Sequence, residues 1–321
     1  MSALAHIFML AGVSYGFAFV AWPLFGARRV SGPFAPDALI VAAILLAGFL
    51  ARDLSPAARG LIAVSGLIVL LRVHSYGCSE RAGGFGDYAH FVSLGLLAPY
   101  LTYSAGRRAV AESPAGQPGP VIRFLIGLIL IPMAWRGAAY LLAMPWSRDS
   151  WVVNHLIFAG AFVVVMSAFG QCATAVWQMQ GSAQKTLVDN ILLSRSPAEF
   201  WRRWSWPMHA WLYRYVYVPA GGKPHRVRAT LMVFFVSGLM HECLAALAIG
   251  RVTGHQTLFF MVSAVGVLIS PALERIEERG VIPNAMARVF TLSFLVASSA
   301  LMFATLNYIL PVYQKHVWLL W

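Results

Sequence analysis

Charge is scarce in this chain: Asp, Glu, Lys and Arg together make up 11% of its 321 residues, and 12 acidic side chains face 24 basic ones. Soluble domains carry about 25% charged residues, so an aqueous setting for most of this surface is excluded. Cysteine is sparse as well. Cys78, Cys172 and Cys243 show neither CxxC nor metal-type spacing, which removes a disulfide framework and a metal site from consideration. No repeat with a period of about 20 to 50 residues is visible, so self-similarity supports neither a solenoid nor an inverted-repeat transporter. The segments between apolar runs are short and offer no soluble basic domain, so nucleic acid is not an expected partner of the +12 formal charge. The start of the chain shows no basic n-region and no small-residue cleavage site, and the first apolar run is expected to be a retained span.

Apolar residues are what the chain has in quantity, at 59% of the total with a mean hydropathy of +0.69. These values predict an all-α, polytopic membrane protein forming a single integral membrane domain over 1–321. Crossing about 30 Å of hydrocarbon takes roughly 20 residues. Nine segments are expected to cross, at 4–25, 38–51, 61–74, 88–106, 121–144, 151–179, 227–249, 256–273 and 288–310. The second and third are short, and an interfacial pair or a broken hairpin is the alternative for them. With nine crossings, sixteen of the 24 basic residues fall on one face and seven on the other, with Arg136 inside a span. The excess of Lys and Arg marks the first face as cytoplasmic, and it carries the whole 180–228 block. The setting this implies is a bacterial-type inner membrane, with anionic lipid head groups or an anionic substrate as partners of the positive charge.

Several short patterns have plain explanations. Gly12, Ser14 and Gly16 spell GxSxG, but a nucleophile elbow needs a strand turning into a helix, whereas an apolar helix offers small residues for helix packing. Gly83, Gly84 and Gly86 follow no strand and read as a loop. His6, His255 and His316 lie near segment ends. His155, also close to the end of its span, reads as a surface or packing residue. Arg136 within IPMAWRGAAY is costly in a bilayer, so it either pairs internally or faces an anionic substrate group.

The stretch PAEFWRRWSWPMHAWLYRYVYVPAGGK, starting at Pro197, is different. Arg202, Arg203, His209, Arg214 and Lys223 alternate with Phe200, Trp201, Trp204, Trp206, Trp211, Tyr213, Tyr215 and Tyr217. Composition alone fits an interfacial helix with an aromatic belt, and it fits equally a surface that pairs with phosphates and stacks on a base. The helix that follows, VRATLMVFFVSGLMHECLAALAIG, tips the balance toward the second, with a buried structural histidine as the alternative for His241. His241 lies 14 residues beyond Val227, about 21 Å along the helix at 1.5 Å per residue, with Glu242 beside it. Ionisable groups at that depth face an interior or a water-filled path. A neutral imidazole there can take a proton from an alcohol as its oxygen attacks a thioester, then return it to the leaving thiolate.

FWRRWSWPMHAWLYRYVYVP and VSGLMHE together resemble the membrane-bound O-acyltransferase superfamily, closest to its wax synthase and its diacylglycerol and sterol acyltransferase branches. The likeness covers about 197–247. It implies a core around a tunnel, with the catalytic part at about 181–250 and acyl-CoA as co-substrate instead of a permanently bound cofactor. By resemblance, His241 takes the place of the catalytic histidine. Ser205 stands where the family usually has Asn, or His in other branches, a position that orients substrate or polarises the acyl carbonyl. Trp204, Arg202, Arg203 and His209, with Trp201, Tyr217, Glu242 and Arg136, are the expected binding residues. The expected reaction is acyl transfer to a long-chain alcohol or other lipidic hydroxyl. A sugar or secondary-metabolite hydroxyl is the alternative acceptor, and a transporter or non-catalytic lipid-binding protein the alternative of another class.

Overall fold

A computed structural model describes residues 3–26, 35–79, 83–93, 101–102, 118–148, 150–179, 186–280 and 282–309. Among them every regular element is helical. In chain order these are α1 (Ala3–Gly26), α2 (Ala35–Leu50), α3 (Pro56–Gly77), α4 (Phe85–Ser93), α5 (Pro120–Ala143), the single turn α6 (Pro145–Arg148), α7 (Trp151–Met179), α8 (Pro197–Trp204), α9 (Trp206–Leu212), α10 (Arg226–Ile249), α11 (His255–Glu278) and α12 (Asn284–Ile309).

Seven of the helices are long and apolar enough to cross a membrane: α1, α3, α5, α7, α10, α11 and α12. The expected short third segment is in fact 22 residues long. Ser55 accepts a hydrogen bond from the Ala58 N–H, and Pro56 occupies the first helical position, so the helix starts before its apolar run does. The second segment is a 16-residue helix, α2, below the roughly 20 residues of a full span. Of the expected 88–106 span, α4 covers the beginning, and most of the rest lies outside the described residues.

The chain divides into two compact units, Met1–Arg108 with Cys243–Val252, and Ala109–Glu242 with Thr253–Trp321. In the first, α1 to α4 bury Ala18, Ile40, Val69, Val73, Tyr76, Tyr88, Phe91 and Val92. The expected small-residue groove at Gly12 and Gly16 is not where packing occurs: both glycines are exposed, and the residue of this stretch that packs is Ser14. A Cβ on Gly66 would lie 2.6 Å from Ile44 Cγ1 and 3.0 Å from Ser14 Oγ, while the added Cβ of Gly12 or Gly16 would meet nothing. Arg72, near the end of α3, is fully buried. Its Nη1 donates to the Phe91 carbonyl at 2.6 Å and its guanidinium lies over the Phe91 ring, contacts that offset part of the desolvation of a buried charge.

In the second unit α5 lies close against α7. An added Cβ on Gly127 would come 2.5 Å from Cys172 Sγ and 2.8 Å from the Ala168 carbonyl. His155 has the packing role and not the surface one: it is buried, donates from Nε2 to the Val296 carbonyl at 2.7 Å, and stacks on Trp151. Helices α11 and α12 meet at Gly266, where a side chain would collide with Phe294 at 2.5 Å.

Candidate active site

Each polar residue of SGLMHE, and its glycine, has a separate task. Ser237 is one turn before His241, and its carbonyl receives a hydrogen bond from His241 Nδ1 at 2.8 Å. A carbonyl oxygen can only accept, so in the neutral ring Nδ1 carries the proton and Nε2 keeps its lone pair. The side chain of His241 is exposed while that of its neighbour Glu242 is buried, because successive helical residues point about 100° apart. Gly238 lets α11 approach: a Cβ there would lie 2.9 Å from Thr257 Cα and 3.2 Å from Phe260 Cβ. That approach sets the Phe260 ring against the His241 ring, with centroids 4.5 Å apart. Gly238→Ala should therefore lower stability by about 1–3 kcal/mol through overpacking and disturb the imidazole, measurable as a drop in both unfolding temperature and turnover.

Glu242 turns its carboxylate away to the start of α11. Oε1 accepts from the N–H groups of Thr253 and Gly254, both at 2.7 Å, and from the Thr253 hydroxyl at 3.1 Å. Oε2 accepts from the N–H of Gln256 at 3.0 Å and of Thr257 at 3.4 Å. The first N–H groups of a helix have no partner within it, and here one side chain from α10 supplies them. Gly254, at φ 78°, sits at the N-cap with no side chain to do so.

The aromatic block folds as α8, then the single extended residue Ser205 (φ −158°, ψ 91°), then α9, then a π-helical turn over Tyr213–Tyr217. Such turns are frequent at functional sites. Ser196 caps α8 by accepting from the Glu199 N–H, and Glu199 reaches back to the Arg195 N–H, a variant of the capping box. Glu199 Oε1 also accepts from Arg203 Nε and Nη2. Partial burial pushes the Glu199 pKa up, but these hydrogen bonds and the Arg203 and Arg195 charges pull it below the ordinary carboxylate range. Because the folded value is depressed, the stabilisation is present above the unfolded pKa and is lost as pH falls through the folded one. Glu199→Gln should lower stability by about 1 kcal/mol, and denaturant midpoints read across acid pH should show the variant without that step.

Trp201 packs against Phe234 and Phe260, each at 5.5 Å, so Trp201 and His241 share Phe260 as a neighbour. The Trp201 indole N–H is buried with no hydrogen-bond partner among the described residues. Trp204 stacks on Phe200 and Phe162. His209, Tyr213 and Tyr217 form a ladder of near-parallel rings at 6.5 and 5.3 Å. Burial first and the Arg202 charge second lower the His209 pKa, favouring its neutral form.

The expected phosphate contacts are unevenly placed. Arg203 is engaged by Glu199, whereas Arg202 is exposed at a cleft of about 230 Å³ shared with Arg195, Glu199, Glu274, Glu277 and Glu278. Four carboxylates against two guanidiniums make that cleft a poor phosphate site. Arg136 lies on the exposed side of α5, with no ion pair among the described residues. Ser205 is half-buried and its hydroxyl does not cap α9. Phe260 carries no signal in the sequence, being an apolar ring in an apolar helix.

The model of the membrane-bound O-acyltransferase family matches residues 74–307. A diacylglycerol O-acyltransferase 1 of Corylus americana is 42% identical over 55 residues, 16% of this chain and 10% of that protein. A probable sterol O-acyltransferase 2 of Schizosaccharomyces pombe is 32% identical over 71 residues, 22% of this chain and 15% of that one. A membrane-bound O-acyltransferase of Saccharomyces cerevisiae is 38% identical over 55 residues, 17% and 9% of the two chains. The chain thus spans only a small part of the length of each of these relatives.

Proposed function

Because the chain belongs to the membrane-bound O-acyltransferase family, we propose that it transfers an acyl group from an acyl-CoA thioester to a hydroxyl acceptor, with His241 as general base. The observation that carries this reading is the His241 Nδ1 hydrogen bond to the Ser237 carbonyl, which leaves Nε2 as a proton acceptor deep in a membrane-crossing helix. Nε2 takes the acceptor's proton as its oxygen attacks the thioester carbon. The C–S bond then breaks, and the imidazolium returns the proton to the coenzyme A thiolate.

The acceptor in this reading is a long-chain alcohol or other lipidic hydroxyl, giving a wax-type ester. Two of the similar proteins are named for diacylglycerol and sterol, both lipidic alcohols. The His209–Tyr213–Tyr217 ladder suits stacking on adenine. Ser205 donates to the thioester carbonyl oxygen as negative charge develops there. The block faces the cytoplasm, the side from which acyl-CoA arrives.

The purified protein in detergent, given labelled acyl-CoA and a long-chain alcohol, should form ester. Absence of ester with every lipidic alcohol, alongside ester formation on a sugar hydroxyl, would replace the acceptor. Ser205→Ala should slow transfer about 10²–10³-fold, the range for loss of one oxyanion donor, and Ser205→Asn should retain or exceed the parent rate. A rate indifferent to both changes would remove Ser205 from the site.

A further inference from the structure

The first unit contains a second set of reactive side chains, which the acyl transfer at His241 does not involve. His74, in the last turn of α3, is four residues before Cys78, the C-cap. That spacing puts Cys78 Sγ 3.6 Å from His74 Nε2. The other ring nitrogen, Nδ1, is 2.7 Å from Asp37 Oδ2 in the first turn of α2. An ionised carboxylate only accepts, so Nδ1 bears a proton, and in the neutral ring Nε2 presents its lone pair to the thiol. A clamp between α2 and α3 needs only Asp37 and His74. The thiol on the far nitrogen completes the order nucleophile, base, orienting carboxylate. Cys78 is exposed, at the end of a helix long enough to cross a bilayer, and therefore at head-group level, where acyl carbonyls are the electrophiles within reach.

We infer that Cys78, activated by His74 and oriented through Asp37, is an acyl-accepting nucleophile that becomes S-acylated from an activated acyl donor. His74 Nε2 takes the thiol proton, sulfur attacks the acyl carbonyl carbon, and a new C–S bond forms. The bond to the leaving group breaks, C–S for acyl-CoA or C–O for a phospholipid, and His74 returns the proton to the departing thiolate or alkoxide. Both donors offer the same carbonyl chemistry.

The test uses the full chain with no alcohol acceptor present, so its outcome is separate from that of ester formation. One arm supplies alkyne-tagged acyl-CoA to detergent-solubilised protein, and the other reconstitutes the protein in vesicles of phospholipid with alkyne-tagged acyl chains. A hydroxylamine-labile acyl mass on Cys78 in either arm is the expected result, and the arm that labels names the donor. His74→Ala should slow labelling on the order of 100-fold, as for loss of a general base. Iodoacetamide should alkylate Cys78 at neutral pH at least tenfold faster than it does glutathione. Asp37→Asn, which can still hydrogen-bond the ring but lacks the charge, should move the pH profile of that alkylation upward, a change that packing alone would not produce. If His74→Ala does not fold, the unsubstituted protein still decides. No acyl mass in either arm, or alkylation no faster than glutathione, overturns the inference.

Discussion

His241→Ala should abolish ester formation from labelled acyl-CoA, with an expected fall of about 10²–10⁴ or more, the range for removal of a general base. The protein itself should survive the change. The side chain is exposed, and among the described residues it makes one hydrogen bond to the carbonyl a turn earlier and meets the Phe260 ring. Unfolding temperature and detergent-phase elution should stay close to the parent's while turnover disappears. His241→Gln separates geometry from basicity, because its amide can hold a hydrogen bond but cannot shuttle a proton, and it should be as inactive as the alanine variant. Turnover retained in either variant would remove His241 as the base.

Glu242→Ala is expected to do the opposite, costing stability first. Four backbone N–H groups and one hydroxyl converge on this carboxylate, which is 3% exposed. Each buried donor left without a partner costs about 1–3 kcal/mol. Relaxation and water entry recover part of that, so a loss of about 3–5 kcal/mol is expected, as for breaking a buried charged network. Glu242→Gln keeps one acceptor oxygen and should lie between. Turnover should fall further than the folded fraction alone explains, because the same α11 carries Phe260 against His241. An alanine variant as stable as the parent would show that the N–H groups of α11 find other partners.

These contrasting roles explain what was legible in the sequence. The apolar runs marked the long helices, because burial in lipid demands composition more than any specific residue. The start of α3 was hidden by Pro56 and Arg59, polar-end residues that interrupt an apolar run but suit a helix capped by Ser55. His241 stood out because an ionisable group deep in an apolar helix is conspicuous. Glu242 shared that depth and was read with it as a binding residue, yet its partners are backbone groups 11 to 15 residues onward, which no side-chain pattern announces. The basic, aromatic pattern presents Arg203 as a binding residue, whereas Glu199, one turn earlier, is its i,i+4 partner. Cys78 and Asp37 went unread because the histidine that joins them is 37 residues from the aspartate. Only the folding of α2 beside α3 brings them to one point.

The hydrogen bond from His241 to the Ser237 carbonyl has a spectroscopic counterpart. With ¹⁵N-labelled histidine, the His241 ring of the resting protein should give one pyrrole-like and one pyridine-like nitrogen, the first coupled to its own proton and the second bare. Comparison with His241→Ala assigns the pair among the nine histidines. Two averaged resonances would mean that the ring exchanges tautomers instead of waiting for a proton at Nε2. The pyridine-like signal is also the one an incoming alcohol would move, so the same spectrum serves as a titration of acceptor binding before any acyl donor is added.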